Sequence, residues 1–167
     1  FFGRMWDTGG AVDNGFETGE ETMIDTAYSK DALPLHTDGS YLQQQPGLQL
    51  FNCVEQTAQS DDASAPLAGS TKLADGFQIA RIMREQHPES YDFLCRTPLP
   101  FKHCADDVEM AALSPVFWLH PVTGEVAEFR YYATDRAPLD MLSHADVGAF
   151  YEHVGKLEAV IESQEVC

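Results

Sequence analysis

A helical stretch lying between two β-type stretches sets the fold class of this chain. Phe77 to Gln86 has helical spacing, with either Phe77, Ala80 and Met83 or Ile79 and Met83 on a core face. His87-Pro88 closes it, because the residue before a proline is pushed out of the α region. A second short helix, Glu89 to Cys95, ends ahead of Thr97-Pro98-Leu99-Pro100. Upstream, residues 23–28 read as a short strand. Residues 47–54 alternate, with Leu48, Leu50, Asn52 and Val54 on one face, and residues 69–76 read as a strand ending in a turn. Downstream, residues 116–120, a turn at Pro121-Val122-Thr123-Gly124-Glu125 and residues 126–132 form a hairpin pattern. A last helix begins near Ser143, with Val147, Phe150, Tyr151, Val154, Leu157 and Ile161 as its apolar stripe. There are no repeats and no heptads. Strands from distant parts of the chain must therefore share one sheet system, which is an α+β arrangement.

The 167 residues are enough for one domain with a core. Two polar stretches, residues 7–22 and 57–68, read as loop insertions. The chain starts Phe1-Phe2-Gly3 without Met and stops at Cys167 after a helical pattern, so it is expected to be part of a longer protein, C-terminally incomplete. The net charge of −17 argues against nucleic acid and anionic membranes and favours a cationic small molecule. Cys53, Cys95, Cys104 and Cys167 show no Cys-x-x-Cys spacing, which suggests reduced, intracellular thiols. No run approaches the length of a membrane span, and no signal peptide is visible.

The chemistry-bearing run is Leu35-His36-Thr37-Asp38-Gly39. On a strand, residues two apart point the same way, so His36 and Asp38 would present an imidazole and a carboxylate side by side. That makes two-thirds of the 2-His-1-carboxylate triad, which binds Fe(II) and leaves three coordination positions open. The spacing alone is cheap, and the chain holds a second copy, His144-Ala145-Asp146. That copy opens a helical segment, where residues two apart diverge around the axis. Asp146 reads there as a first-turn carboxylate. His103-Cys104-x-Asp106-Asp107 fits no defensible metal spacing and reads as a solvated loop.

Several motifs appear together and in order: Phe2-Gly3-Arg4-Met5-Trp6, Asp25-Thr26-Ala27-Tyr28, Leu35 to Tyr41, Pro46 to Cys53, Gly69 to Phe77, Arg130-Tyr131 and Asp135-Arg136-Ala137. With them the chain resembles the Fe(II)/2-oxoglutarate-dependent dioxygenases of carnitine biosynthesis, within the taurine dioxygenase superfamily. Trimethyllysine dioxygenases are the closer group and γ-butyrobetaine dioxygenases the next. The resemblance implies a double-stranded β-helix (jelly roll) core with flanking helices, residues 1–167 being part of the catalytic domain. It implies His36 and Asp38 as iron ligands, Thr71 near the co-substrate 2-oxoglutarate, and ascorbate as a supporting reductant. The third ligand, a His, and the Arg that grips 2-oxoglutarate belong to a motif expected after the last helix. His87, His103, His120, His144 and His153 sit in the wrong contexts for that role. The 167 residues alone are therefore expected to be inactive.

A trimethylammonium group has no N–H to donate, so ring faces must recognise it. The resemblance places Phe2, Trp6 and Tyr28 in such a cage and Tyr41 among the substrate contacts. Asp25, where γ-butyrobetaine dioxygenases carry Asn, would repel a substrate carboxylate and favour the α-ammonium of trimethyllysine. The implied reaction is C3 hydroxylation of N6-trimethyllysine, coupled to oxidation of 2-oxoglutarate to succinate and CO2 with O2. The chain departs from the relatives' pattern twice, with a longer loop between Trp6 and Asp25 and with Tyr132-Ala133 in place of consecutive Asn. A γ-butyrobetaine or divergent amine dioxygenase, and a degenerate methylated-amine binding module, are the rival readings. Homodimer formation and the compartment, cytoplasmic or mitochondrial matrix, stay open.

Overall fold

The computed structural model describes residues 33–52, 71–105, 108–163 and 165–166. Backbone contacts divide the chain into Phe1–Pro34 and Leu35–Cys167, and the architecture that follows is that of the second part.

Helix α1 spans Gly76–Gln86. Asp75 caps it by accepting the N–H groups of Phe77 (2.9 Å) and Gln78 (3.2 Å), which satisfies two donors that no helical carbonyl can reach. Of the two faces offered by the spacing, the helix buries Ile79 and Met83, with Ala80 and Ile82, while Phe77 is 65% exposed. Gly76 lets Phe129 approach, since a Cβ there would lie 3.0 Å from Phe129 Cδ1. Helix α2 (Pro88–Arg96) starts on the proline that closes α1 and buries Ser90, Tyr91 and Leu94. Helix α3 (His144–Ile161) is capped by Ser143, whose Oγ accepts the Asp146 N–H at 3.2 Å. Asp146 thus takes the expected first-turn place. The stripe holds for Phe150, Val154, Leu157 and Ile161, joined by Val160, whereas Tyr151 is exposed. Its ring lies under the Arg136 guanidinium, 5.1 Å away.

Strands β1 (Leu99–Ala105) and β2 (Val108–Ser114) pair antiparallel, from Leu99 opposite Ser114 to Ala105 opposite Val108. This hairpin was not expected, because Pro98 and Pro100 mark loops more often than strands. Pro100 fits because its carbonyl, and with it the edge where its N–H is missing, faces away from β2, accepting the Ala137 N–H at 2.9 Å. Residues 135–137 run along β1, with Phe101 bridged to Arg136 and Lys102 N–H donating to the Asp135 carbonyl at 2.8 Å. Strands β3 (Phe117–Leu119) and β4 (Val126–Phe129) form the expected hairpin, with an irregularity at Trp118/Leu119. Gly124, at φ +69°, takes its turn through the left-handed region.

The three helices pack on one another, α2 on β3 and α1 on β4. Between them Met83, Leu94, Leu99, Phe101, Val116, Phe117, Phe150 and Leu157 form the buried core. The chain is α+β, with helices and two separate two-stranded antiparallel sheets among the described residues.

Two expected strands are corrected. Residues 47–52 and 71–75 belong to no strand. Leu48, Leu50 and Phe51 are 92%, 96% and 77% exposed. Alternation marks a segment suited to a ladder, but a strand also needs a neighbour's N–H and C=O groups. Cys95 and Cys104 are free thiols. No helix among the described residues is long and apolar enough to cross a membrane.

Candidate metal centre

Leu35 packs against the core and seats the run that follows. Thr37 fastens it to the end of β4: its N–H donates to the Tyr131 carbonyl (2.9 Å), and the Tyr131 N–H donates to Thr37 Oγ1 (2.9 Å). With Thr37 turned toward Tyr131, His36 and Asp38 turn to the other side. The expected strand is corrected here too: residues 36–37 are extended but lie in no strand, and Asp38 begins a turn. The alternation of sides survives because Thr37 is tied to the Tyr131 backbone. Gly39, at φ +66°, makes the turn, and a Cβ there would lie 2.9 Å from Leu42 Cδ1.

The two candidate donors meet. His36 Nε2 lies 3.1 Å from Asp38 Oδ1, and since a carboxylate only accepts, Nε2 carries the proton of that contact. Gln49 Nε2 donates to the other oxygen, Oδ2, at 2.6 Å. The hydrogen bond from His36 holds the Asp38 carboxyl below its usual range, with help from Gln49 and against partial burial, which pushes the other way. The His36 ring stacks on Tyr132, centroids 4.5 Å apart and planes 29° from parallel. Two ligand atoms at right angles on a six-coordinate ion, with bonds of about 2.1 Å, are separated by about 3 Å. The pair therefore already has the spacing of neighbouring ligands, a divalent ion replacing the shared proton. Among the described residues, no third His, Cys, Asp or Glu completes a metal-holding group with them.

Two buried charges back the turn. Arg130, 2% exposed, donates through Nη1 to the carbonyls of Ser40 (2.8 Å) and Leu42 (2.6 Å) and through Nη2 to that of Gln43 (3.3 Å). Glu128 lies 3.7 Å from Nη2, and Nε has no partner. Asp135 is 8% exposed, and burial pushes its carboxyl up to about 6 although His103, His36 and the Ser40 backbone pull it down.

The remaining expected residues are dispersed. Tyr41 stacks on His103, centroids 4.6 Å apart, and packs against the core. Thr71 is exposed and precedes α1 rather than lying on a strand. Phe2, Trp6, Asp25 and Tyr28, like both loop insertions, lie outside the described residues. The other histidines have structural surroundings. His87 caps the end of α1, and His120 Nδ1 accepts two turn N–H groups at 3.3 Å. His144 opens α3, and His153 Nδ1 pairs with Ser90 Oγ at 2.9 Å. His103 and Cys104 lie on β1 rather than in a loop. Sequence reasoning missed Gln49, Arg130 and Asp135 as neighbours of the donor pair. For Arg130 and Asp135 the available signals were their charge and their place in the Arg130-Tyr131 and Asp135-Arg136-Ala137 motifs.

A paired imidazole and carboxylate are two of the three protein ligands found in the mononuclear iron centres of 2-His-1-carboxylate oxygenases. The chain belongs to the taurine catabolism dioxygenase TauD, TfdA family, whose description matches residues 1–167. It is 29% identical over 164 residues to a trimethyllysine dioxygenase of Meyerozyma guilliermondii, covering 96% of this chain and 37% of that protein. The human mitochondrial trimethyllysine dioxygenase is 30% identical over 154 residues, covering 90% and 32%. A γ-butyrobetaine dioxygenase of Pseudomonas sp. (strain AK-1) is 36% identical over 115 residues, covering 69% and 28%. The chain thus spans about a third of the length of these relatives.

Proposed function

We propose that this chain forms part of the catalytic domain of an Fe(II)/2-oxoglutarate-dependent dioxygenase that hydroxylates N6-trimethyllysine at C3. The observation that carries the reading is the His36–Asp38 pair, two donors 3.1 Å apart, in a chain that matches a dioxygenase family throughout. Ferrous iron bound there would supply the O2 chemistry, with 2-oxoglutarate as the co-reductant. His36 would ligate through Nε2. Gln49 occupies Asp38 Oδ2, which leaves Oδ1 as the ligating oxygen. Tyr132 fixes the tilt of the imidazole, and Thr37 and Gly39 fix the direction of both side chains.

The third ligand and the cation for 2-oxoglutarate would come from a part of the protein beyond these residues. The two hairpins would then be parts of a jelly roll. On the resemblance, Phe2, Trp6 and Tyr28 form the trimethylammonium cage, Asp25 meets the α-ammonium, Tyr41 contributes to the substrate pocket and Thr71 meets 2-oxoglutarate. The mitochondrial label of the human relative favours the matrix among the two compartments.

The test uses the full-length protein with Fe(II), 2-oxoglutarate and ascorbate. We expect succinate formation that depends on N6-trimethyllysine, with γ-butyrobetaine a poorer substrate, and loss of turnover in His36→Ala. Binding of trimethyllysine without succinate release would instead favour a methylated-amine binding module.

A further inference from the structure

We propose that Gln49 is a positioning residue, which ties up one oxygen of Asp38 and so limits its carboxylate to a one-oxygen grip on the metal. This inference rests on the metal-centre reading above and deepens it. The two oxygens of Asp38 have different partners. Oδ1 lies 3.1 Å from His36 Nε2, and Oδ2 lies 2.6 Å from Gln49 Nε2. A carboxylate can only accept, so the amide atom facing Oδ2 is the nitrogen, and it donates. Hydrogen bonds to an ionised acceptor are shorter and stronger than neutral ones, and this short contact is of that kind.

The consequence lies in what the ion keeps free. A carboxylate can hold a divalent ion through one oxygen or through both. With a one-oxygen carboxylate, the 2-His-1-carboxylate arrangement leaves three positions open on a six-coordinate ion. A second oxygen would fill one of them, and fewer would remain for 2-oxoglutarate and O2. To bring Oδ2 to the ion, the Asp38 carboxylate would have to swing off the Gln49 amide.

Gln49 is exposed, with Leu48 and Leu50 bare on either side, so burial does not hold it in place. The run before it does. After the Gly39 turn, Arg130 donates to the carbonyls of Leu42 (2.6 Å) and Gln43 (3.3 Å). Pro46 comes back against the turn, where a Cβ on Gly39 would lie 3.1 Å from its Cδ. Gln45 Nε2 donates to Thr37 Oγ1 (3.0 Å) and to the Asp38 carbonyl (3.3 Å), which uses both of its N–H bonds. Residues 42–46 are thus stitched to the base of the donor pair. Gln45 holds the Asp38 backbone, and Gln49 holds its side chain.

The test is infrared difference spectroscopy of the full-length protein, Co(II)-loaded minus metal-free, with isotope-labelled aspartate to pick out the carboxylate that the ion perturbs. The antisymmetric and symmetric carboxylate stretches lie far apart for a one-oxygen ligand and close together for a two-oxygen one. The parent should show the wide separation. Gln49→Ala, loaded with Co(II) to saturation by visible absorption, should show a narrowed one, because Oδ2 is released. Leu48→Ala, which trims a bare neighbour and keeps the amide, should stay wide. A narrow separation in the parent, an unchanged one in Gln49→Ala, or equal narrowing in both variants would overturn the proposal. His36→Ala distinguishes the underlying reading: parent-like Co(II) binding there would sink the metal centre itself, whereas its loss alongside an unchanged separation in Gln49→Ala would sink only the positioning role.

Discussion

Asp135 carries a carboxyl group that the fold largely buries. Burial pushes its pKa from 3.8 to about 6, so the folded protein binds a proton that the unfolded chain releases between those values. Stability linked to this group therefore falls as pH rises from about 4 to about 6 and is level above that. The groups facing it are His36, His103 and Asp38; the two imidazoles temper the effect and Asp38 adds to it. In the metal-free protein, Asp135→Asn should remove the decline, so that urea midpoints for variant and parent converge near pH 4 and the variant leads at pH 7. The donor pair was legible because His36 and Asp38 are two residues apart, and their geometry depends on one local conformation. Arg130 and Ser40 are 90 residues apart in sequence, and no periodicity encodes such a meeting. Gln49 was hidden differently: in an expected strand it was one more polar residue, and only the turn at Gly39 brings it to Asp38.

Helices were read almost to their ends because their hydrogen bonds are local and their signals sit at their own termini. Ser143 and Asp146 mark the start of α3, and His87-Pro88 divides α1 from α2. Strands were read poorly where the partner is remote, as for residues 47–52, or where prolines masked the pattern, as for β1. The elements are also linked by specific polar contacts. Tyr131, 7% exposed, follows β4 and donates its hydroxyl to Glu158 on α3, and burial with this partner raises its pKa. Tyr131→Phe keeps the ring and loses that link. It should cost about 1–3 kcal/mol, seen as a lower denaturation midpoint with an unchanged slope. A midpoint equal to the parent's would show that Glu158 gives α3 no hold on the segment after β4.

At the scale of the whole molecule, one well-packed core coexists with an apolar ribbon in water. Met83, Leu94, Phe150 and Leu157 have no exposure at all, while Leu48, Leu50 and Phe51 are almost wholly bare. Contiguous bare apolar groups tend to find a cover. Against this stands a net charge of −17, which holds copies apart over about 10 Å at 0.1 M salt and over only about 3 Å at 1 M. Adding sodium chloride should therefore thin the mutual repulsion while the greasy edge keeps its pull, so light scattering from these 167 residues should climb with ionic strength. Leu50→Asp with Phe51→Asp should keep the solution clear. In dilute buffer, these 167 residues would then stay dispersed mainly through the acidity of the rest of their surface.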